Sequence, residues 1–108
     1  MTNVIYVAGR YRGENAYEIH ENILHAERAS LDLWKEGYVP ITPHKLTEHF
    51  QGVLPDEVWL DGCLELLRRC DAIFLLRGWE QSEGSIAEYE LAKELGLEVI
   101  FEPGVNLF

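Results

Sequence analysis

The sequence predicts a three-layer α/β sandwich, a parallel sheet of four or five strands in the order 2-1-3-4 with helices on both faces. Two observations predict it. Short β-rich apolar runs alternate along the chain with longer stretches of helical periodicity, the pattern that right-handed βαβ crossovers require. The first run, VIYVA from Val4 to Ala8, is apolar on both faces, as a central parallel strand must be.

Taken in order, residues 9–13 (GRYRG) form a tight turn bracketed by glycines, and residues 14–35 read as a long helix. Asn15 suits its N-cap with Glu18 three residues on, and Ile19, Ile23, Ala26, Ser30 and Leu33 give its apolar stripe. Gly37 ends it. A second strand covers residues 38–41, closed by Pro43. Residues 42–54, with His44, His49, Phe50 and Gly52, show no clear period and read as a loop or short helix over a site. Pro55 opens a second long helix reaching about Arg69, its stripe formed by Trp59, Leu60, Cys63, Leu64, Leu67 and Cys70. Residues 71–76 give the third strand, 85–95 the next helix and 97–101 the fourth strand. The whole of 1–108 reads as one domain without repeats or linkers.

Charge narrows the function. Nine Lys and Arg face nineteen Asp and Glu, a net charge of −10, which a nucleic-acid backbone would repel. No apolar run is long enough to span a bilayer, and Met1 is followed by a strand pattern, so no membrane partner and a cytoplasmic location are expected. Cys63 and Cys70, seven apart in one apolar stripe, read as buried free thiols. His44 and His49 lack partners at metal-ligand spacing, so no metal and no cofactor are expected.

Against this acidic background two arginines, Arg10 and Arg12, share the first turn. The predicted order places the topological switch between strands 1 and 3, and ligands bind there at the carboxyl ends. Two turns meet at that crevice: GRYRG, and the stretch RGWEQSEGS from Arg77 to Ser85. The turn of Gly9, Arg10, Arg12 and Gly13 could be merely solubilising, but arginines beside backbone amides at a helix start suit an anion such as phosphate, with the Ser82 and Ser85 hydroxyls facing it and Gly84 allowing close backbone approach. Neither turn has the P-loop or dinucleotide glycine pattern.

Glu88 is the residue out of place. It shares the inward stripe of its helix with Leu91, Ala92 and Leu95, whereas Glu90, Lys93 and Glu94 face away. Two readings stand. Ser85-x-x-Glu88 fits a capping box, in which the carboxylate bonds its own helix's first amide. Alternatively, a partly buried carboxylate beside a crevice suits a nucleophile or general base. Tyr6, near the carboxyl end of the first strand, could reach it. Trp79 reads equally as a base-stacking or a packing residue, and Asp61 as solvated.

Tyr6-x-x-Gly9 with Arg12-Gly13, then Cys70-Asp71 leading an apolar strand, then Gly78-Trp79-x-x-Ser82-x-Gly84-Ser85-x-x-Glu88, resembles the nucleoside 2-deoxyribosyltransferase-like superfamily. Small phage and bacterial members of unassigned function and 2′-deoxynucleoside 5′-phosphate N-hydrolases are the most similar. The resemblance spans residues 4–101 and implies a flavodoxin-like, Rossmann-like fold and cleavage of the base–sugar bond of a nucleoside or nucleotide, most readily a (2′-deoxy)nucleoside 5′-monophosphate. It implies Glu88 as nucleophile, Tyr6 as its positioner, and a small-molecule nucleotide or nucleoside partner in a homodimer or higher homo-oligomer.

Six residues before the nucleophile, relatives acting on free nucleosides carry an aspartate; here Ser82 stands there, as in hydrolases of 5′-phosphates, and Arg12 matches their phosphate-contacting arginine. Cys63 stands where many members carry a further aspartate. A transferase exchanging bases on free nucleosides, and a non-catalytic nucleotide-binding module, are the alternatives.

Overall fold

The computed structural model describes residues 3–104. Strands β1 (Val4–Ala8), β2 (Val39–Ile41), β3 (Ala72–Leu75) and β4 (Glu98–Phe101) form one sheet in the order β2-β1-β3-β4, every pair parallel. The helices are α1 (Ala16–Lys35), the short α2 (Pro43–Leu46), α3 (Asp56–Arg68) and α4 (Glu83–Leu95), with a 3₁₀ turn at Trp79–Gln81. The expected strand order is therefore observed, with four strands. None of these helices is long and apolar enough to cross a membrane.

Alternation along β1 divides the core. Ile5 and Val7 join Ala26, Ala29 and Leu33 of α1 on one face. Tyr6 and Ala8 point to the other, with Leu67 near the end of α3 and Ala92 of α4. Successive strand side chains must take opposite faces, so this parity commits Tyr6 to the side where α4 lies. The α1 start follows its sequence signal: the Asn15 side chain accepts from the Glu18 amide at 2.9 Å, while Glu18 Oε1 accepts from the Glu14 amide at 2.8 Å. Gly37, at φ 95°, turns the chain from α1 into β2 in the left-handed region that glycine tolerates.

Several expectations need correction. Helix α3 ends at Arg68, so Cys70 lies beyond it, buried, with its Sγ 3.4 Å from the Leu66 carbonyl oxygen. Helix α4 starts at Glu83, two residues early, because Ser82 is its N-cap: the Ser82 Oγ accepts from the Ser85 amide at 3.2 Å. Its inward stripe accordingly begins earlier and stops short of Leu95. Ser85 and Ala92 are buried, whereas Leu95 is 44% exposed. Trp79 belongs to an aromatic cluster, its ring 4.8 Å from Tyr89 and 6.3 Å from Phe101. The bulky side chains on this face leave the indole packed, not free to stack on a ligand.

Gly9 is a packing glycine as well as a turn residue. A Cβ there would sit 2.6 Å from Leu76 Cδ1 and 2.8 Å from Leu76 Cβ. Leu76 is 1% exposed and has nowhere to retreat. Gly9→Ala should therefore destabilise the fold by about 1–3 kcal/mol, read as a lower urea midpoint with unchanged slope; an unchanged midpoint would show that the turn absorbs the clash.

Candidate active site

The carboxyl end of β1 and the segment that follows β3 open into a cavity of about 780 Å³. Its walls are the Gly9–Gly13 turn, the Pro43–Gln51 segment, the first half of α3 and the start of α4. This is the crevice at the switch point, where neighbouring crossovers leave in opposite directions and uncover the strand ends.

Tyr6 and Glu88 meet in this cavity. The Tyr6 hydroxyl donates a hydrogen bond to Glu88 Oε2. Tyr6 is fully buried, and a phenol without an acceptor there would cost about 1–3 kcal/mol. The carboxylate supplies that acceptor. Glu88 lies in the second turn of α4, past the first turn in which a capping side chain could act, and Ser82 fills the capping role. The capping-box reading of Ser85 and Glu88 is thereby overturned.

Burial sets the protonation of this pair. It raises the Glu88 carboxyl to about 7, with the Tyr6 hydrogen bond pulling the other way. Burial, then the Glu88 charge, holds Tyr6 well above the ordinary phenol range, so Tyr6 remains a donor. Cys63 borders both. Its thiol is raised by burial and further by Glu88, with Tyr6 opposing, which keeps it a neutral thiol and a poor nucleophile.

The anion-binding candidates lie around the mouth. Arg12 lines it but pairs with Asp56 of α3, both exposed. Arg10 spans the two turns, its Nη1 donating to Gln81 Oε1 at 3.1 Å. The Ser82 hydroxyl accepts from the Ser85 amide and retains its own proton to donate. That bond occupies the amide of Ser85. The amides of Glu83 and Gly84, at the first two positions of α4, keep no intrahelical partner. Gly84 also lies close to α3: a Cβ there would be 3.4 Å from Leu60.

The structure adds residues that periodicity assigned elsewhere. Trp59 and Cys63 share a stripe with Leu67, but only Leu67 is buried; the other two, earlier on α3, face the cavity. Their spacing of four was legible, whereas the point at which the stripe passes from cavity to core was not. His44, 5% exposed, also lines the cavity, its Nε2 3.0 Å from the Arg10 carbonyl oxygen. That nitrogen must donate, and burial lowers the imidazole, with the Arg10 and Gly9 carbonyls opposing, so the ring is neutral. Tyr11 closes the same side through its hydroxyl, which donates to Gln51 Oε1 at 2.7 Å. Asp61 is exposed. Among the described residues no group of three or more His, Cys, Asp or Glu side chains could hold a metal ion.

Residues 3–101 match the model of a family described as Domain of unknown function (DUF4406). No match is found among curated proteins. Among solved structures, a 2-deoxyribosyltransferase from Bacillus psychrosaccharolyticus superposes with a TM-score of 0.69 at 20% identity, over 91% of this chain and 70% of that one. A 2-deoxyribosyltransferase from Leishmania mexicana superposes with a TM-score of 0.66 at 19% identity, over 92% of this chain and 63% of that one. At these identities the likeness establishes the fold.

A raised carboxyl links to stability. Unfolded Glu88 ionises near 4.5 and folded Glu88 near 7, so in that window the folded state binds more protons. Its contribution is fully present below about 4.5 and is lost as pH rises through 7. Glu88→Gln should remove this dependence and exceed the wild type above pH 7 by roughly 2–4 kcal/mol. Denaturation of both proteins from pH 4 to 8 checks it; a difference that does not vary with pH would refute it.

Proposed function

The chain belongs to the family described as a domain of unknown function, DUF4406, and from its cavity we propose that it is an N-glycosidase of (2′-deoxy)nucleoside 5′-monophosphates. The observation that carries the reading is the Tyr6–Glu88 pair in the crevice at the strand ends. Tyr6 occupies one carboxylate oxygen and leaves the other to attack the anomeric carbon. The C1′–N bond breaks, and its electron pair leaves with the base, which takes a proton from solvent. A covalent glycosyl ester remains on Glu88. Water then attacks C1′, the ester bond breaks, the attacking water loses a proton to solvent, and ionised Glu88 and the sugar phosphate are released. This is the retaining pattern of glycoside hydrolysis, in which the nucleophile must be ionised.

The 5′-phosphate fits the start of α4, where the Ser82 hydroxyl and the amides of Glu83 and Gly84 converge, with Arg12 across the mouth. One observation favours a second reading. Arg12 is paired with Asp56, and the rim also carries Glu14 and Glu83, which lessens its attraction for a dianion. A transferase exchanging bases on free nucleosides would suit that rim better, and addition of a second base would then yield the exchanged nucleoside. The 2-deoxyribosyltransferases of like fold lend weight to both readings. Exposed apolar side chains on α2 and α3, Leu46, Val58 and Leu66, support self-association, which light scattering would measure.

Incubation with a panel of 5′-monophosphates, with chromatography for released base, tests the hydrolase directly. Wild type should release base and Glu88→Gln should lose at least about a hundredfold. Saturable nucleotide binding without base release would instead identify a binding module. Asp56→Asn should free Arg12 and lower KM for 5′-phosphates by about two- to fivefold while leaving nucleosides unchanged. Equal effects on both would remove Arg12 from the phosphate site.

A further inference from the structure

Four buried side-chain polar atoms among the described residues lack a hydrogen-bond partner, and three of their residues, His44, Trp59 and Ser85, line the cavity. The fourth, Trp79, belongs to the aromatic cluster. Protein interiors leave few such groups, so their concentration at one cavity points to a ligand that completes them.

Ser85 is the sharpest case. It is 1% exposed, yet its hydroxyl has no partner. Ser30, similarly buried in α1, donates to the Ala26 carbonyl at 2.8 Å, the usual outlet for a helical serine. Ser85, third residue of α4, has no carbonyl of that helix four residues back to serve as that outlet, and its hydroxyl is left without a partner. Its amide is already bonded to Ser82, so the hydroxyl is the polar group of this cavity-lining residue left without a partner.

Position defines the class of group it would meet. The N-cap Ser82, then Ser85 and Glu88 of α4, follow one another at intervals of three, each about 4.5 Å further along the axis and neighbouring the next on the helix surface. If phosphate sits at the helix start and the anomeric carbon at Glu88, the furanose lies between them, over Ser85. Attack opposite the base exposes the α face of the sugar to α4. On that face a 2′-deoxyribose carries one hydroxyl between the 5′ arm and the reacting carbon, the 3′-hydroxyl.

We propose that Ser85 is a specificity-determining residue whose side chain hydrogen-bonds the substrate's 3′-hydroxyl, making the site selective for nucleotides with a free 3′ position. This rests on the placement of phosphate and Glu88 proposed above. It sets a substrate class that the phosphate contacts alone do not: monomeric nucleotides free at 3′, and not nucleotides esterified there.

The test compares wild type and Ser85→Ala by equilibrium binding of three matched 5′-monophosphates, the ribo, 2′-deoxy and 2′,3′-dideoxy forms, with base release followed in parallel. Wild type should bind the 2′-deoxy form about tenfold more tightly than the dideoxy form, and Ser85→Ala should bring that ratio close to one. Thermal denaturation should show the variant folded and no less stable, since alanine removes an unpartnered buried hydroxyl. An unchanged ratio, or a change confined to the ribo-to-deoxy preference, overturns the assignment. If the ratio collapses without base release from either protein, the assignment stands and the hydrolase reading falls. If base is released with the preference unaltered, the assignment alone falls. If no nucleotide binds, both fall.

Discussion

The hydrogen bond from Tyr6 to Glu88 ties the central strand to α4 across the buried face of the sheet. Each group needs the other. Without the carboxylate, a fully buried phenol would lack an acceptor; without the phenol, a desolvated carboxylate would lose the contact that favours its charge. The pair nonetheless leaves Glu88 raised to about 7, because one neutral donor offsets only part of the cost of burial. A fold selected only for stability would place an apolar side chain here, as it does at Ala92 one turn on. The retained carboxyl, poised near neutrality at the edge of a cavity, is the strongest physical mark of function in the molecule.

Around this pair the same residues serve architecture and site together. Gly9 brings the first turn against Leu76, and the turn then presents Arg10 and Arg12 to the cavity. His44 donates to the Arg10 carbonyl and holds that turn against α2. Ser82 caps α4 and keeps a proton to donate. The mouth is braced by Arg10 to Gln81 and by Arg12 to Asp56, so a bound anion would compete with existing partners rather than enter an empty cationic site.

Much of this was legible in the sequence because local physics decides it. Asn15 and Glu18 mark the α1 start through bonds that close within four residues. The strands were recognisable from β-rich apolar runs, and their alternation with helices marked the sheet as parallel. Glu88 stood out because helical spacing placed it among apolar residues. The errors share a cause: they arose where two local solutions were nearly equal. Either Ser82 or Ser85 could cap α4, and in the fold it is Ser82 that takes the role, bonding the Ser85 amide. Trp79, left open in the sequence between ligand and core, is no error: Tyr89 and Phe101 settle it as a packing residue.

By itself the sequence determined the elements, the parallel sheet and the presence of a carboxylate where the core should be, since periodicity and capping act over a few residues. Only the tertiary structure decided what that carboxylate touches. The parity of β1 sends Tyr6 to the α4 face, α3 brings Trp59 and Cys63 to the cavity, and Asp56 claims Arg12. These are contacts between residues tens of positions apart, and their energies depend on burial that no local pattern encodes. The unpartnered hydroxyl of Ser85 is of the same kind: a serine in sequence is ordinary, and only the closed packing around it makes its missing partner a statement about a ligand.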